Sequence, residues 1–388
     1  MRITRLETLR LRCPVDPNHT RPSSRFVHDG SIHLRIHTDA GVTGLGEPSP
    51  YGGPLPRVAD ILEREIQPLL VGKAPTELVA SLTRLKDYPE GFGHGNVPYD
   101  AAWAGVEQAL WDIEGKVRGL PLYRLLNPAL TSTPRLRVYA SGGMSYEHEP
   151  PELIVEEAAL CQAQGYTAWK MRPSVPGEAT RSQHNRTSPP IDMRRLLAMV
   201  EGVRRAVGDD MDLLVDTGCR CRDIQEATDL ARALEELGFC LFEEPLPRVI
   251  DDYARLAEAV KIPISSGESL VSSRQVAPWL KQRALDVVQP DGNLAGITGV
   301  LEIARLAEAN GIPCVLHNWA NPISLAANLH LAAAIPNCSL VEYPILYNPL
   351  RTELVQDPWH PLNGYLEIPD RPGLGVELDE QAVRRYSV

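Results

Sequence analysis

The sequence predicts an α/β fold, in which one large parallel (β/α) barrel is joined to a smaller companion domain. Two observations support this prediction. From about residue 134 onward, eight short runs of β-forming residues alternate with segments of helical periodicity. The 388 residues also exceed the size at which one hydrophobic core normally stops growing. Repeated alternation of strand and helix is typical of a parallel sheet closed into a barrel, whose active site lies at the carboxyl ends of the strands.

The eight predicted barrel strands are short runs rich in branched and aromatic residues, bounded by turn-forming residues. They span residues 135–140, 167–172, 212–216, 240–244, 263–268, 286–291, 313–317 and 339–343. Between them, segments such as 223–238 repeat apolar residues at the spacing of one helix face, and a glycine then ends the pattern. Residues 296–311 repeat this design, so the strands and helices alternate along the chain.

An amphipathic helix is predicted before the barrel, over residues 107–126. Its apolar face is formed by Val106, Leu110, Ile113 and Val117, because these residues recur at helical spacing. We therefore expect all four side chains to be buried.

Three glycines, at positions 41, 44 and 46, lie close together further upstream. Spaced glycines also occur in phosphate-binding loops, but in those loops a helix follows and offers its N-terminus to the anion. No helical pattern follows here, so we interpret the glycines as turn residues of a β-hairpin.

The composition argues against two classes of partner. With 39 Lys and Arg against 50 Asp and Glu, the net charge is −11, whereas nucleic acids and anionic membranes both favour a basic surface. No apolar run approaches the roughly 20 residues that span a bilayer, and charges interrupt the N-terminus where a signal peptide needs an apolar stretch. Seven scattered cysteines fit reduced thiols better than a disulfide framework. We therefore expect a cytoplasmic protein without a nucleic-acid or membrane partner.

Ionisable residues stand at the predicted carboxyl ends of the last seven strands. In chain order they are Lys170 with Arg172, then Asp216, Glu243, Glu268, Asp291, His317 and Glu342. Any one of them has an ordinary explanation, since an Asp after a strand is often the N-cap of the next helix. Capping does not select Glu or His, however, and one such group occurs in every unit from the third strand to the eighth. So many charges in one cavity would be costly unless a cation compensates the carboxylates.

The residue types at the strand ends indicate a metal and a base. Asp216, Glu243 and Glu268 offer only hard oxygen ligands, which suit Mg²⁺. Asp291 ends the strand beside that of His317, so it can hold the imidazole in one tautomer as a general base. Together they favour abstraction of a proton α to the carboxylate of a small-molecule substrate.

Two basic residues and one acidic residue complete the predicted site. Lys170 and Arg172 alternate with Met171, so both side chains point to the same face of their strand. We expect them to border the metal on the side opposite the histidine. Glu342 ends the eighth strand, where it can donate or accept a hydrogen bond with a substrate oxygen.

These residues resemble the enolase superfamily, in its mandelate racemase-like subgroup, whose members use a Lys or His base with Mg²⁺. Outside the barrel, the resemblance is carried by TDAGVTGLGE (38–47), EQALWDIEGKVRGLPLYRLL (107–126) and LNGYLEIPDRPGLGVELDE (362–380). It implies an N-terminal α+β capping domain over 1–133, a (β/α)7β TIM-like barrel over 134–350 and a C-terminal segment, 351–388, that returns to the cap. It also implies an even-numbered homo-oligomer, from a dimer to an octamer.

The resemblance assigns roles to individual residues. It implies Mg²⁺ ligands at Asp216, Glu243 and Glu268, a catalytic dyad at His317 and Asp291, and a functional carboxylate at Glu342. The sequence departs from the family at Arg172, where many relatives carry a second catalytic lysine. Arginine is a poor base and is better interpreted as a fixed cation.

Racemisation needs bases on both faces of the carbon, so this departure favours a reaction with one base. We predict a hydro-lyase that removes water from an aldonate or aldarate by syn elimination and gives a 2-keto-3-deoxy acid. A racemase, epimerase or cycloisomerase acting on a 2-hydroxy acid or sugar lactone is the alternative within the same fold. A catalytically silent barrel that serves as a binding protein is the alternative of another class.

Substrate-binding candidates come from three segments, and Trp319, two residues after His317, is added to them. The segments 21–30 and 47–54 resemble substrate-covering loops, and residues 173–190 form an insertion rich in Pro, Ser and Arg. The insertion is either a solvated surface or oligomer contact, or it reaches the distal part of the substrate. The candidate residues are Arg21, Arg25, His28, Tyr51, Arg181, His184, Arg186 and Trp319.

Overall fold

The computed structural model describes residues 1–13, 30–50, 53–85, 97–144, 149–173 and 192–388. The N-terminal part contains an antiparallel sheet in the order β1-β2-β3. Its strands are β1 (Ile3–Leu11), β2 (Ser31–Thr38) and β3 (Thr43–Gly46). The predicted hairpin around residues 38–47 is therefore confirmed.

Helices cover this sheet, and the longest of them packs directly on the hairpin. They are α1 (Leu55–Asp60), a π-helical turn (Ile61–Ile66), α2 (Gln67–Leu70), α3 (Pro75–Leu85), α4 (Val97–Arg118) and α5 (Leu122–Leu126). In α4, Val106, Leu110 and Ile113 are fully buried, as expected, but the prediction for Val117 is wrong. Val117 is 49% exposed because the last turn of α4 extends beyond the core.

The hairpin glycines serve two different purposes. Gly41 occupies the turn, with φ of +77°, in a conformation that favours glycine. Gly44 and Gly46 instead lie in β3, where an added Cβ would clash with the carbonyl oxygens of Ala109 and Gly105 in α4. Their interpretation as turn residues is therefore wrong, because close packing of strand on helix requires them.

The barrel strands form one parallel sheet in the order β10-β4-β5-β6-β7-β8-β9. They are β4 (Arg135–Gly142), β5 (Ala168–Met171), β6 (Asp212–Asp216), β7 (Leu241–Glu243), β8 (Ile264–Ser266), β9 (Val287–Val288) and β10 (Val341–Pro344). Residues 313–317, predicted as the seventh barrel strand, form isolated parallel bridges to β9 and β10 through Cys314 and Leu316. These bridges connect the two edges of the sheet, in agreement with the predicted barrel.

Helices alternate with the strands and surround them. They are α6 (Pro151–Ala163), α7 (Met193–Val207), α8 (Ile224–Glu236), α9 (Ile250–Ala259), α10 (Ser273–Lys281), α11 (Gly292–Ala309) and α12 (Pro322–Ala334). The helices predicted over 223–238 and 296–311 correspond to α8 and α11. Within α11 the backbone kinks at Gly296, whose φ is +68°.

The C-terminal segment contains α13 (Pro349–Glu353), β11 (Tyr365–Glu367) and α14 (Glu380–Tyr386). Besides the short pairing of β11 with β4, this segment also contacts the N-terminal part of the chain. Ser387 bridges Leu11, and the backbone N–H of Leu374 donates to Asp112 of α4 at 2.8 Å.

Two further observations concern the cysteines and the lengths of the apolar helices. All seven cysteines are unpaired thiols, and most are at least partly buried. Within the described ranges, no helix is both long enough and apolar enough to cross a membrane.

Candidate active site

A layer of apolar side chains fills the middle of the barrel and determines where the polar residues lie. It consists of Tyr139, Ala168, Leu214, Leu241, Val287 and Val315, one from each of six strands or strand-like segments. Side chains along a strand alternate between its two faces, so the residue two positions later shares the inward face. Those residues are Ser141, Lys170, Asp216, Glu243, Gln289 and His317, and all are buried. The fold thus places a polar layer directly above an apolar plug.

Lys170 lies at the centre of an ion-pair network. Its Nζ atom is 2.9 and 2.8 Å from the two carboxylate oxygens of Glu243 and 2.8 Å from Oε1 of Glu342. Burial lowers the pKa of Lys170, but the two carboxylates outweigh burial and raise the pKa well above its ordinary value. Lys170 is therefore a fixed cation in this arrangement.

Glu342 is saturated with hydrogen-bond donors. It accepts from Ser141 Oγ at 2.6 Å, from the Asn318 backbone N–H at 2.8 Å and from Trp319 Nε1 at 2.9 Å, besides its contact with Lys170. Burial raises the pKa of Glu342, but Lys170, His317 and the hydrogen bond from Ser141 lower it to about 2. Glu342 thus stands as an ionised acceptor that anchors its neighbours.

Asp216 and Arg172 form an ion pair beside the contact of Lys170 with Glu243. Asp216 is in register with Glu243 across β6 and β7. Its Oδ1 accepts the Gly218 backbone N–H at 2.7 Å, and Nη1 of Arg172 lies 3.4 Å from Oδ2. Lys170 and Arg172 therefore contact carboxylates on the same side of β5, as their alternation predicts.

Glu268 connects a partly buried arginine, Arg248, to the histidine. Its Oε1 lies 2.9 Å from Nη2 of Arg248, and its Oε2 lies 3.1 Å from Nε2 of His317. Arg248 also contacts Glu244, the residue after Glu243, at 2.8 Å. The carboxylate of Glu268 is consequently shared between two basic groups.

His317 forms the predicted pair with Asp291. Its Nδ1 lies 2.8 Å from Oδ2 of Asp291, and both side chains are buried. Burial lowers the pKa of His317, but Glu268, Glu342 and Asp291 outweigh burial and raise it to about 10. The contact with Asp291 fixes Nδ1 as the protonated nitrogen and directs Nε2 into the polar layer.

The carboxylates offer donors that suit a divalent cation. Within the part of the chain that the structure describes, Asp216 Oδ2 and Glu268 Oε2 are buried oxygens that accept no hydrogen bond. Hard carboxylate oxygens of this kind fit Mg²⁺. As the side chains stand, however, no three described His, Cys, Asp or Glu residues are grouped to hold a metal. Both oxygens of Glu243 are instead engaged by Nζ of Lys170, at 2.9 and 2.8 Å.

The capping domain contacts the barrel next to the histidine. Glu47, which follows β3, accepts the backbone N–H groups of Asn321 at 2.8 Å and Ser324 at 3.1 Å. These groups belong to the start of α12, a few residues after His317. A carboxylate at a helix N-terminus is favourable, so Glu47 joins the cap to the segment that carries the base.

The predicted substrate-binding residues are mostly outside the described part. Arg21, Arg25, His28, Tyr51, Arg181, His184 and Arg186 lie in segments that the structure does not describe. Trp319 is described: besides donating to Glu342, it packs against Met144 and Leu346 and is 3% exposed.

Sequence reasoning missed four polar residues that contact this group: Ser141, Glu244, Arg248 and Gln289. The period-two pattern could have identified Ser141 and Gln289, because each lies two residues after an apolar residue of the barrel plug. No comparable signal identifies Arg248, since it belongs to a loop and its role depends on where that loop folds.

The chain matches two family descriptions over most of its length. Residues 8–127 match the mandelate racemase / muconate lactonizing enzyme N-terminal domain, and residues 153–382 match the enolase C-terminal domain-like family. The second range includes all the ionisable strand-end residues from Lys170 to Glu342.

Similar proteins agree with this match. An arabinonate dehydratase from Saccharolobus solfataricus is 32% identical over 358 residues, 92% of this chain and 90% of the relative. A D-xylonate dehydratase from Haloferax volcanii is 32% identical over 361 residues, 92% of this chain and 85% of the relative. A crystal structure of a 3,6-anhydro-D-galactonate cycloisomerase from Zobellia galactanivorans covers all of both chains, with a TM-score of 0.82 and 28% identity. The chain therefore belongs to the enolase superfamily, in its mandelate racemase-like subgroup, and is an enzyme of that family.

Proposed function

We propose that this enzyme is a Mg²⁺-dependent dehydratase of an acid sugar, either an aldonate or an aldarate, and that its product is a 2-keto-3-deoxy acid. The observation that carries the proposal is the asymmetry of the polar layer. His317 is held by Asp291 as a base on one side. On the other side, Lys170 and Arg172 are cations already engaged by carboxylates. The dehydratase activities of the two relatives agree with this choice.

The reaction needs only one proton-transfer group. Nε2 of His317 removes the proton from C2, the carbon next to the substrate carboxylate. The C3–O bond then breaks, and His317 returns the proton to the departing hydroxyl, so that water leaves. The resulting enol tautomerises to the 2-keto-3-deoxy acid, and the histidine is regenerated without a second base.

Lys170 and Arg172 supply positive charge rather than proton transfer. The two contacts of Lys170 with Glu243 and Glu342 keep its ammonium charged. Arg172 remains protonated at any working pH. Both therefore favour binding of an anionic substrate, and neither suits the second base that a racemase requires.

The three carboxylates Asp216, Glu243 and Glu268 would hold the Mg²⁺. When bound, the cation would bind the substrate carboxylate, stabilise the negative charge that develops on it, and offset the charge of Glu268 that raises the pKa of His317. Asp291 keeps the imidazole oriented throughout.

A screen of acid sugars tests the proposal. The protein is incubated with Mg²⁺ and a set of aldonates and aldarates, and 2-keto-3-deoxy acids are detected as semicarbazones. We expect at least one substrate to be dehydrated, and we expect H317N to lose that activity. H360N is the matched control, because His360 is an exposed histidine that is not one of the strand-end residues.

A cycloisomerase is the second candidate, because the matching cycloisomerase structure spans the whole chain. Such a reaction begins with the same α-proton abstraction by His317, but a ring oxygen leaves instead of a hydroxyl. Sugar lactones and anhydro sugar acids are included in the screen for this reason. Turnover of these compounds alone would favour the cycloisomerase.

A further inference from the structure

The loop between β7 and α9 brings Arg248 to a side of the site that the proposed reaction does not use. We propose that Arg248 restricts Glu268 to binding a metal through one oxygen, and that it thereby sets the preference of the site for Mg²⁺ over Ca²⁺. This inference rests on the proposed function, since it takes Glu268 as a metal ligand.

The two carboxylate oxygens of Glu268 have different contacts. Nη2 of Arg248 lies 2.9 Å from Oε1, so this oxygen is occupied by a charged donor. Oε2 accepts no hydrogen bond from the described residues, and it lies 3.1 Å from Nε2 of His317. Arg248 thus occupies Oε1 alone, whereas Oε2 faces the imidazole of His317.

Arg248 is itself held in place by Glu244. Its Nε and Nη2 lie 3.2 and 2.8 Å from the two oxygens of Glu244. Glu244 is buried, and it also accepts hydrogen bonds from Cys219 Sγ and Ser266 Oγ. The planar fork of a guanidinium can span two carboxylates in a fixed geometry, whereas the point charge of a lysine cannot. The side chain of Arg248 is only 16% exposed, so solvent screens these contacts weakly.

In Asp216, a second carboxylate of the site, only one of the two oxygens likewise accepts a hydrogen bond from a described residue. Oδ1 of Asp216 accepts the Gly218 backbone N–H at 2.7 Å, and Oδ2 accepts no hydrogen bond within the described ranges. Two of the three carboxylates therefore present single oxygens. Mg²⁺ binds six ligands in near-ideal octahedral geometry, whereas Ca²⁺ takes six to eight and accepts carboxylates through both oxygens. Single oxygens thus favour Mg²⁺, and releasing Oε1 of Glu268 would favour Ca²⁺.

Binding of each metal alone tests the inference without reference to catalysis. Metal-stripped protein is titrated with Mg²⁺ and then with Ca²⁺ by calorimetry, for the unmodified protein and for R248M, R248K and R255M. Arg255 is the control, because it lies on α9 and forms an exposed ion pair with Asp252. Folding of each metal-free variant is checked by its thermal unfolding.

We expect R248M to shift the ratio of the two dissociation constants toward Ca²⁺ by about tenfold, the lower end of effects seen when a partner of a metal ligand is removed. R248K should shift it in the same direction by less, and R255M should leave it unchanged. A structural role alone would weaken both metals equally, so an unchanged ratio in R248M overturns the inference. If R248M does not fold, an unchanged ratio in R248K overturns it. An unmodified protein that binds neither metal overturns the proposed Mg²⁺ site as well.

Discussion

Oδ2 of Asp291 lies 2.8 Å from Nδ1 of His317, while Oδ1 of the same carboxylate accepts the backbone N–H of Asn293 at 2.7 Å. Asp291 is thus both the N-cap of α11 and the partner of the base. The two roles use different oxygens, so they do not compete. This arrangement allows substitutions to separate them.

Asp291→Asn tests the role toward the histidine. Asparagine caps helices about as well as aspartate, so the stability should change little. The amide carries no negative charge to hold Nδ1–H of His317. We therefore expect kcat on the active acid sugar to fall by about 10²–10⁴-fold, the usual contribution of general acid–base catalysis. Asp223→Asn is the matched control, because Asp223 caps α8 in the same way outside the site. Equal activity of the two variants would contradict the role.

Lys170→Met tests the ion-pair network at the centre of the polar layer. The change leaves Glu243 and Glu342 buried without their shared cation, and breaking a buried pair costs about 3–5 kcal/mol. We expect the free energy of unfolding of the metal-free protein, measured in urea, to fall by this amount. Lys281→Met, at an exposed position of α10, should have no measurable effect. An equal effect of both changes would argue against the network.

Gly44→Ala tests the close packing of β3 on α4. A Cβ at this position would overlap the carbonyl oxygen of Ala109, so strand and helix must separate. We expect a loss of about 3 kcal/mol, at the upper end of the range for overpacking. Gly41→Asn is the control, since the turn around Gly41 has open space and asparagine tolerates a positive φ. Unfolding in urea measures the free energy of unfolding of both variants. A larger loss of stability in Gly41→Asn than in Gly44→Ala would contradict the packing argument.

His330 predicts part of the pH dependence of stability. Its Nδ1 accepts the Tyr123 backbone N–H at 3.1 Å, and its Nε2 lies 3.2 Å from the carbonyl oxygen of Leu374. The imidazole is therefore neutral, and burial lowers its pKa from 6.5 to about 4. Between these values the unfolded chain binds a proton that the folded chain does not, so stability decreases as the pH falls from 6.5 toward 4.

His330→Gln should remove this contribution. We expect the loss of stability between pH 6.5 and pH 5 to be smaller in the variant by about 2 kcal/mol, which corresponds to roughly one and a half pKa units. Unfolding in urea at several pH values measures it. His360→Gln, at an exposed site, should keep the pH dependence of the unmodified protein. Other buried groups, such as His33 and Glu47, also have shifted pKa values, in opposite directions. Because they are present in both proteins, their contributions cancel when the pH dependence of His330→Gln is subtracted from that of the unmodified protein.

The strands and the polar residues at their carboxyl ends could be predicted because two patterns coincide in the sequence. A unit of about 25 residues repeats, and within each unit a polar residue follows the apolar run at its carboxyl end. This pattern identified the positions of Lys170, Asp216 and His317 in the polar layer. The assigned metal and catalytic roles, the domain boundaries and the oligomeric state stay predictions.

The rest depended on contacts that the sequence does not encode locally. Gly46 looks like a turn residue until α4 packs on it, and Val117 continues an apolar face beyond the point where the core ends. Arg248 is one charged residue in a loop, and only the fold brings it between Glu244 and Glu268. Tertiary packing, rather than local pattern, decides such positions.

The central claim is that His317 removes the α-proton of an acid sugar that loses water. The most direct measurement is the rate of 2-keto-3-deoxy acid formation with Mg²⁺ from an acid sugar carrying either hydrogen or deuterium at C2, for the unmodified protein and for H317N. We expect deuterium to slow the unmodified enzyme several-fold and H317N to form no product. Product formation by H317N at the unmodified rate, or no product from any acid sugar with the unmodified protein, would contradict the claim.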